Sequence, residues 1–161
     1  MWIIIASILI FLIITLNLFT YVLWIKLDLL EKNIISIFNK RNNQVVSIFQ
    51  ISKLYLTKTD EIFNEFFNLK RKDFWENSFN TSLSNKLNTY KKIHNEIDFI
   101  FKVCEKNNKI QLNPIFLYLK DSILDKSNDI WKNLKLFNNI KKEYGLYKKL
   151  SKFTILWLLI K

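Results

Sequence analysis

Residues 2–25 have the sequence WIIIASILIFLIITLNLFTYVLWI, and none of these side chains is charged. As an α-helix rising about 1.5 Å per residue, this stretch is roughly 36 Å long, enough to cross a hydrocarbon core of about 30 Å. A cleaved signal peptide fits less well, because no basic residue precedes the run, the run is too long, and no small-residue cleavage site follows. We therefore expect a retained transmembrane anchor over residues 1–26. Its candidate anchoring residues are Trp2, Phe11, Phe19 and Trp24.

The polar side chains inside this stretch are compatible with a bilayer. The hydroxyl groups of Thr15 and Thr20 can bond to carbonyl groups of their own helix. Tyr21 and Trp24 fall near the end of the run, where aromatic rings with a polar edge favour the membrane–water interface.

Basic residues follow the apolar stretch, and none precedes it. Lys26, Lys32, Lys40 and Arg41 all lie within sixteen residues of its end. Because basic residues concentrate on the cytoplasmic side of membrane helices, this asymmetry predicts a single-pass protein of the cell (inner) membrane with its C-terminal domain in the cytoplasm.

The composition favours long helices. The 161 residues include 25 basic and 14 acidic ones, all from Lys26 onward, so the part outside the apolar stretch carries the net charge of +11. A single glycine and a single proline leave few turn signals, which disfavours β folds and doubly wound folds. Cys104 is the only cysteine and His94 the only histidine, so an internal disulfide and a cysteine-based zinc site are excluded.

Beyond the anchor, apolar residues from Leu27 to Leu69 recur at spacings of three, four and seven, which is typical of an amphipathic helix. Since no glycine or proline interrupts this part, we expect the anchor helix to continue as one rod to about residue 71, with a kink near Asn42 and Asn43. A polar turn at residues 77–85 then precedes a second helix.

Two further helices complete the predicted architecture. The second has an apolar stripe formed by Leu83, Leu87, Tyr90, Ile93, Ile97, Ile100, Phe101 and Cys104. The third begins at Asn113 and Pro114, an N-cap followed by a proline at the first helical position. Its expected apolar face consists of Leu117, Leu124, Trp131, Leu134 and Phe137, and Gly145 is expected to end or bend it. The fold class is therefore all-α: an N-terminal transmembrane helix that continues into an antiparallel three- to four-helix bundle over residues 27–161.

The sequence gives little support for catalysis or for metal binding. His94 and Asp98 share a helix face, but Cys104 lies off that face and no second ligand pair exists. The acidic row of Asp121, Asp125 and Asp129 has lysines close by, which favours a solvated surface. No glycine-rich phosphate loop or nucleophile elbow is present, so we expect neither an enzyme nor a cofactor.

Basic residues are the strongest binding signal. Between Lys132 and Lys161 there are eight lysines and one acid, Glu143, interleaved with aromatic residues. The candidate basic surface comprises Lys40, Arg41, Lys141, Lys142, Lys148, Lys149 and Lys152. Such a surface suits anionic lipid headgroups or an acidic protein. It also suits nucleic acid, which is the less favoured partner for a chain tethered to a membrane.

Three stretches resemble the LemA family of bacterial membrane-anchored helical proteins. Residues 40–46, with sequence KRNNQVV, lie where that family has a double-arginine segment leading into an apolar helix. Compatible residues follow at Lys53, Tyr55, Glu61, Phe63, Phe66 and Lys70. The third helix is similar to the family's C-terminal signature through Phe116, Leu119, Ile123, Asn128, Ile130, Phe137, Asn138 and Tyr144.

The chain departs from that family in three places, as a divergent member would. Residues 43–47 replace the family's Asp-Leu-Ile-Pro-Asn run, Gly145 stands where a second Tyr-Asn pair would end, and the closing Phe-Pro is absent. The resemblance implies a membrane-anchored helical bundle with no established enzymatic activity, a role in membrane organisation, and a protein partner such as a membrane peptidase.

The leading hypothesis from the sequence is a single-pass membrane scaffold, possessing coiled-coil-like helices, that docks a protein partner or organises the local membrane. The alternative is a structural subunit of a larger membrane complex, in which the apolar segment at residues 153–160 is buried against a partner. The lipid bilayer is an expected partner in both cases, and self-association stays open.

Overall fold

The structure is a computed structural model that describes the backbone of residues 2–78 and 83–159, and side chains at residues 4, 7, 8, 10–72, 83 and 87–152. Within these residues there are five helices and no strand, which confirms the all-α prediction. The helices are α1 (Trp2–Ser52), α2 (Thr59–Ser78), α3 (Leu83–Glu105), α4 (Asn108–Gln111) and α5 (Pro114–Leu159).

The chain divides into two compact units, and both α1 and α5 contribute to each. The terminal unit consists of Met1–Ile35 and Ile130–Lys161, and the central unit consists of Ser36–Asp129. The boundary between these units on α1, after Ile35, therefore does not coincide with the end of the predicted anchor at residue 26.

In the central unit, α1 and α2 form an antiparallel hairpin. The ring of Phe49 lies 5.2 Å from that of Phe63, and Lys70 Nζ donates to Asn43 Oδ1 at 3.1 Å. The predicted rod to residue 71 is thus wrong, because α1 ends at Ser52. The buried Thr59 hydroxyl donates to the carbonyl groups of Leu56 (2.8 Å) and Ser52 (3.4 Å), which closes a turn that needs neither glycine nor proline.

Helix α3 runs parallel to α1. The rings of Phe38 and Tyr90 stack with centroids 3.7 Å apart, and Ser52 Oγ lies 3.4 Å from Cys104 Sγ. The predicted stripe of α3 is confirmed at its buried positions, Leu83, Tyr90, Ile93, Ile97, Ile100, Phe101 and Cys104. The predicted turn at residues 77–85 falls partly on residues 79–82, which lie outside the described part of the chain.

Helix α5 begins as the sequence predicts. Asn113 Oδ1 accepts from the backbone N–H groups of Ile115 (2.9 Å) and Phe116 (3.2 Å), which satisfies donors that have no partner inside the helix. Helix α5 then runs antiparallel to α1, because Arg41 contacts Ser127 and Gln44 contacts Ser122. The central unit therefore has the up-down-up-down order of a four-helix bundle.

The apolar face of α5 differs from the expectation in phase. Its buried apolar residues are Phe116, Leu119, Ile123, Ile130, Leu134 and Phe137, and the side chains of Leu117, Leu124 and Trp131 are exposed. Spacings of three and four keep a stripe on one side of a 3.6-residue helix, whereas Leu117, Leu124 and Trp131 form a neighbouring row.

Gly145 does not end α5, which continues to Leu159. A glycine inside a helix costs about 1 kcal/mol relative to alanine, and the residues on either side supply enough helical propensity to absorb that cost. A Cβ atom added at Gly145 would meet no atom within 4 Å, so no close approach requires glycine here.

Candidate functional site

The apolar stretch of α1 exposes its aromatic residues. Phe11 is 68% exposed, Phe19 46% and Trp24 52%. The side chain of Trp2, the fourth predicted anchoring residue, lies outside the described residues. A helix that presents large apolar side chains on most of its circumference is suited to lipid rather than to water. In the described part of the chain, one helix is long and apolar enough to cross a membrane, and it is α1.

Polar side chains in this stretch bond to their own helix, as predicted. Thr15 Oγ1 donates to the carbonyl oxygens of Phe11 and Leu12, and Thr20 Oγ1 donates to that of Leu16 at 2.8 Å. Asn17 does the same, through Nδ2 to Ile13 O at 2.8 Å. Such bonds remove the penalty that an unpaired polar group would have in hydrocarbon.

The end of the stretch has the composition of an interface. The rings of Tyr21 and Trp24 stack with centroids 6.1 Å apart. One turn further on, Lys32 Nζ forms an exposed salt bridge with Asp28 at 2.7 Å. Aromatic residues followed by charged ones are typical of the boundary between hydrocarbon and headgroups.

The predicted lysines of α5 are all exposed, and they belong to the terminal unit together with the apolar stretch. They are Lys141, Lys142, Lys148, Lys149 and Lys152. The Tyr147 ring packs edge-on against that of Phe19, with centroids 4.7 Å apart. Lys148 and Lys149 therefore follow directly after a residue that contacts the apolar stretch. We call these five lysines the α5 basic cluster.

Two lysines of the α5 basic cluster lie close to aromatic rings. Lys148 Nζ lies 5.3 Å from the centre of the Tyr144 ring, and Lys141 Nζ lies 5.9 Å from that of Phe137. Cation–π contacts of this length are weak at an exposed site, about 0.5–1 kcal/mol. The ammonium groups thus stay available to an anionic ligand.

The two residues of α1 that were predicted to belong to the basic surface lie in different environments. Lys40 is exposed, as expected for a surface, whereas Arg41 is 2% exposed and lies in the core of the central unit. The prediction that Arg41 is part of a basic surface is wrong. Arg41 continues the buried row of Ile34, Phe38, Val45 and Ile48, and the helical spacing of this row was the sequence signal that could have identified it.

The surroundings of Arg41 satisfy only part of its guanidinium group. Its Nη1 donates to Ser127 Oγ at 3.3 Å, and its Cζ lies 4.4 Å from the centre of the Phe38 ring. Its buried Nε and Nη2 have no hydrogen-bond partner among the described residues. Burial lowers the pKa of Arg41 to about 10, although Asp98 and Tyr90 favour the charged form.

His94 and Cys104 are the other candidate residues of the central unit. His94 Nε2 lies 3.8 Å from Asp98 Oδ2, and the described residues contain no group of three His, Cys, Asp or Glu side chains that could hold a metal ion. Cys104 is buried, and its burial raises the pKa of its thiol, which disfavours the reactive thiolate.

Comparisons with protein-family models, with curated proteins and with solved structures find no match for this chain. The resemblance to the LemA family stays a prediction from the sequence.

Proposed function

We propose that this protein is a single-pass membrane-anchored helical scaffold without catalytic activity, in which α1 crosses the bilayer and the α5 basic cluster gathers anionic lipid around it. The observation that carries the proposal is the exposed apolar surface of α1, with its polar side chains satisfied inside the helix. The LemA resemblance supports the same reading, since that family consists of membrane-anchored bundles. The same lysines offer a docking surface to an acidic protein partner, for which a membrane peptidase is one candidate.

The contact between Phe19 and Tyr147 supports a retained anchor over a cleaved signal peptide. The apolar stretch packs against α5 in the folded chain through this contact, and Leu23 is only 4% exposed. A signal peptide is removed before the mature domain is complete and has no partner within it.

The same contact supports a lipid role for the cluster. Phe19 precedes Ile25, the end of the apolar stretch, by six residues, or about 9 Å along a helix. The side chains of Lys148 and Lys149, which follow Tyr147, can extend along the helix and place their ammonium groups among headgroups. Each such lysine near an anionic surface contributes about 1 kcal/mol.

The cluster can be tested by the selectivity of the protein for anionic lipid. The full chain would be reconstituted in mixed phosphatidylcholine and phosphatidylserine bilayers, and the motionally restricted fraction of each spin-labelled lipid measured by electron paramagnetic resonance. We expect a preference for phosphatidylserine that K148E/K149E abolishes. The matched control is K91E/K92E, an adjacent exposed pair on α3. Equal selectivity in all three proteins would refute the lipid role.

The orientation follows from the positive-inside tendency and places the central unit in the cytoplasm. Single cysteines at Ser36 and Asn128, both exposed in the structure, would report it in a C104A background. We expect an impermeant maleimide to label both positions only after lysis. Labelling in intact cells would reverse the orientation and direct attention to partners outside the cytoplasm.

A structural subunit of a larger membrane complex is the second candidate. Leu146 (63% exposed) and Leu150 (51% exposed) lie four residues apart on one face of α5, directly before the apolar residues 153–160. A subunit predicts that the isolated chain self-associates heterogeneously in detergent, and that L146S/L150S makes it monodisperse. A free-standing scaffold predicts one discrete species before and after the substitution, as judged by light scattering.

A further inference from the structure

Two turns meet at one end of the central unit. The first comprises residues 53–58, between α1 and α2, and the second comprises residues 106–113, which include α4. Asn107 Nδ2 donates to Tyr55 O at 3.3 Å and joins them. Behind them, Cys104 and Ile110 are completely buried. The two turns therefore form one continuous surface.

This surface presents large apolar side chains to the outside. Leu54 is 75% exposed and Leu112 is 78% exposed, more than Phe11 in the apolar stretch of α1 at 68%. Ile115 and Tyr118 follow Leu112 at intervals of three, which places them on one side of the first turns of α5, and they are 60% and 70% exposed. We call Leu54, Leu112, Ile115 and Tyr118 the apolar tip. Large apolar side chains that are exposed at one end of a unit are candidates for an interaction site.

Lysines surround the apolar tip. The two turns contain Lys53, Lys58, Lys106 and Lys109 and no acidic residue. Lys53 and Lys58 form salt bridges of 3.3 Å with Asp60 and Glu61 in the first turn of α2, but all four side chains are more than half exposed. Exposed pairs of this kind exchange partners at little cost. Lys106 and Lys109 form no salt bridge with any described residue.

We infer that the apolar tip binds the surface of an anionic lipid bilayer, with its leucines in the upper acyl region and the four lysines among the headgroups. The apolar residues lie in turns and at the start of a helix and do not line a groove. A bilayer surface therefore fits them better than a bound peptide does. The positive charge of both turns is complementary to anionic headgroups. This inference concerns the central unit and does not rest on the α5 basic cluster.

Insertion can be observed directly in the full chain. An environment-sensitive fluorophore would be attached at L112C in a C104A background, with the protein held in neutral phosphatidylcholine nanodiscs. We expect a blue shift when vesicles containing phosphatidylserine are added. Neutral vesicles should give none. The matched probe is F99C, at an apolar position of α3 that is 49% exposed, and its emission should not change.

Two variants separate insertion from simple charge attraction. L54S should weaken vesicle binding by about tenfold or more, the fold-change expected when a buried leucine is lost. K106E/K109E should also weaken it, and K91E/K92E should not. The inference is overturned if the probe at residue 112 shows no shift, if both probes shift alike, or if soluble polyglutamate produces the same shift as vesicles.

Discussion

The two halves of α1 place apolar and charged side chains in opposite environments. Its first half exposes Phe11, Phe19 and Trp24, and its second half buries the guanidinium group of Arg41 at 2% exposure. In water, both arrangements would be unfavourable. Lipid around the first half would solvate its exposed apolar side chains. Arg41 has no such compensation, because it lies inside a packed bundle.

This difference teaches that exposure carries a different meaning in each unit. In the terminal unit, the proposed membrane location predicts that an exposed phenylalanine is neutral for folding, because lipid would solvate it. In the central unit, packing determines stability, and a buried charge is expected to be destabilising. The predictions below test this distinction, from the largest expected effect to the smallest.

Phe63 and Phe11 give the sharpest contrast. Phe63 is completely buried and its ring contacts that of Phe49, so F63A should lower the free energy of unfolding by about 3–5 kcal/mol. F11A should change it by less than about 0.5 kcal/mol, because Phe11 faces outward. Chemical unfolding of both variants in the same lipid or detergent, followed by circular dichroism, compares them. Equal losses would mean that the exposed aromatic residues of α1 have protein neighbours.

Arg41 and Lys40 form the second pair. Burial lowers the pKa of Arg41 to about 10, so holding the charge in the core costs on the order of 3 kcal/mol at neutral pH. Replacement by a side chain of similar length, R41M, should therefore raise the free energy of unfolding by about 1–3 kcal/mol. Ser127 keeps its own bond to Ile123 O at 2.9 Å after this change.

The control for that measurement is K40M, on the exposed side of the same turn, which should be nearly neutral. The sign of the change in the free energy of unfolding is the informative result. A loss of stability in R41M would show that water or a bound anion satisfies the guanidinium group in the native protein.

The start of α5 provides a smaller effect. N113A removes the acceptor for the N–H groups of Ile115 and Phe116 and should lower the free energy of unfolding by about 1 kcal/mol. N128A, at an exposed position within the same helix, should be neutral or slightly stabilising because alanine is the better helix former. If the two variants behave alike in thermal unfolding, the cap does not contribute to stability.

Gly145 should give the smallest effect, with the opposite sign. Since a Cβ atom there meets nothing within 4 Å and the residue lies inside α5, G145A should raise the free energy of unfolding by about 0.5–1 kcal/mol. E143A, two residues earlier, should leave it nearly unchanged. A decrease in G145A would indicate that this glycine allows a bend of α5.

Much of the fold could be predicted because some local signals agree with the tertiary packing. The stripe of α3 and the cap at Asn113 combine periodicity with start chemistry, and both are confirmed. The turn after Ser52 could not be predicted, since its residues include neither glycine nor proline and its closing bonds come from Thr59. Gly145 misled in the other direction, because a single weak helix former cannot end a helix that its neighbours favour.

The candidate site shows the same limit. The five lysines of the α5 basic cluster were recognisable from composition, and all five are exposed. Arg41 was misassigned because net charge suggested a surface, whereas its spacing from Phe38 and Val45 puts it on the buried face. The apolar tip was not predicted either, since Leu54 and Leu112 look like ordinary core residues until the turns that carry them are known.

Asn107 has a consequence for the chemical ageing of the protein. Its Oδ1 accepts from the N–H groups of Lys109 and Ile110 and caps α4, while its Nδ2 holds the neighbouring turn through Tyr55 O. Deamidation to aspartate would keep the cap, since a carboxylate also accepts these bonds, but would remove the only donor of the side chain. It would also set a negative charge between Lys106 and Lys109. A single hydrolysed amide would thus remove this hydrogen bond between the two turns and weaken the positive charge around them, while the cap of α4 is kept.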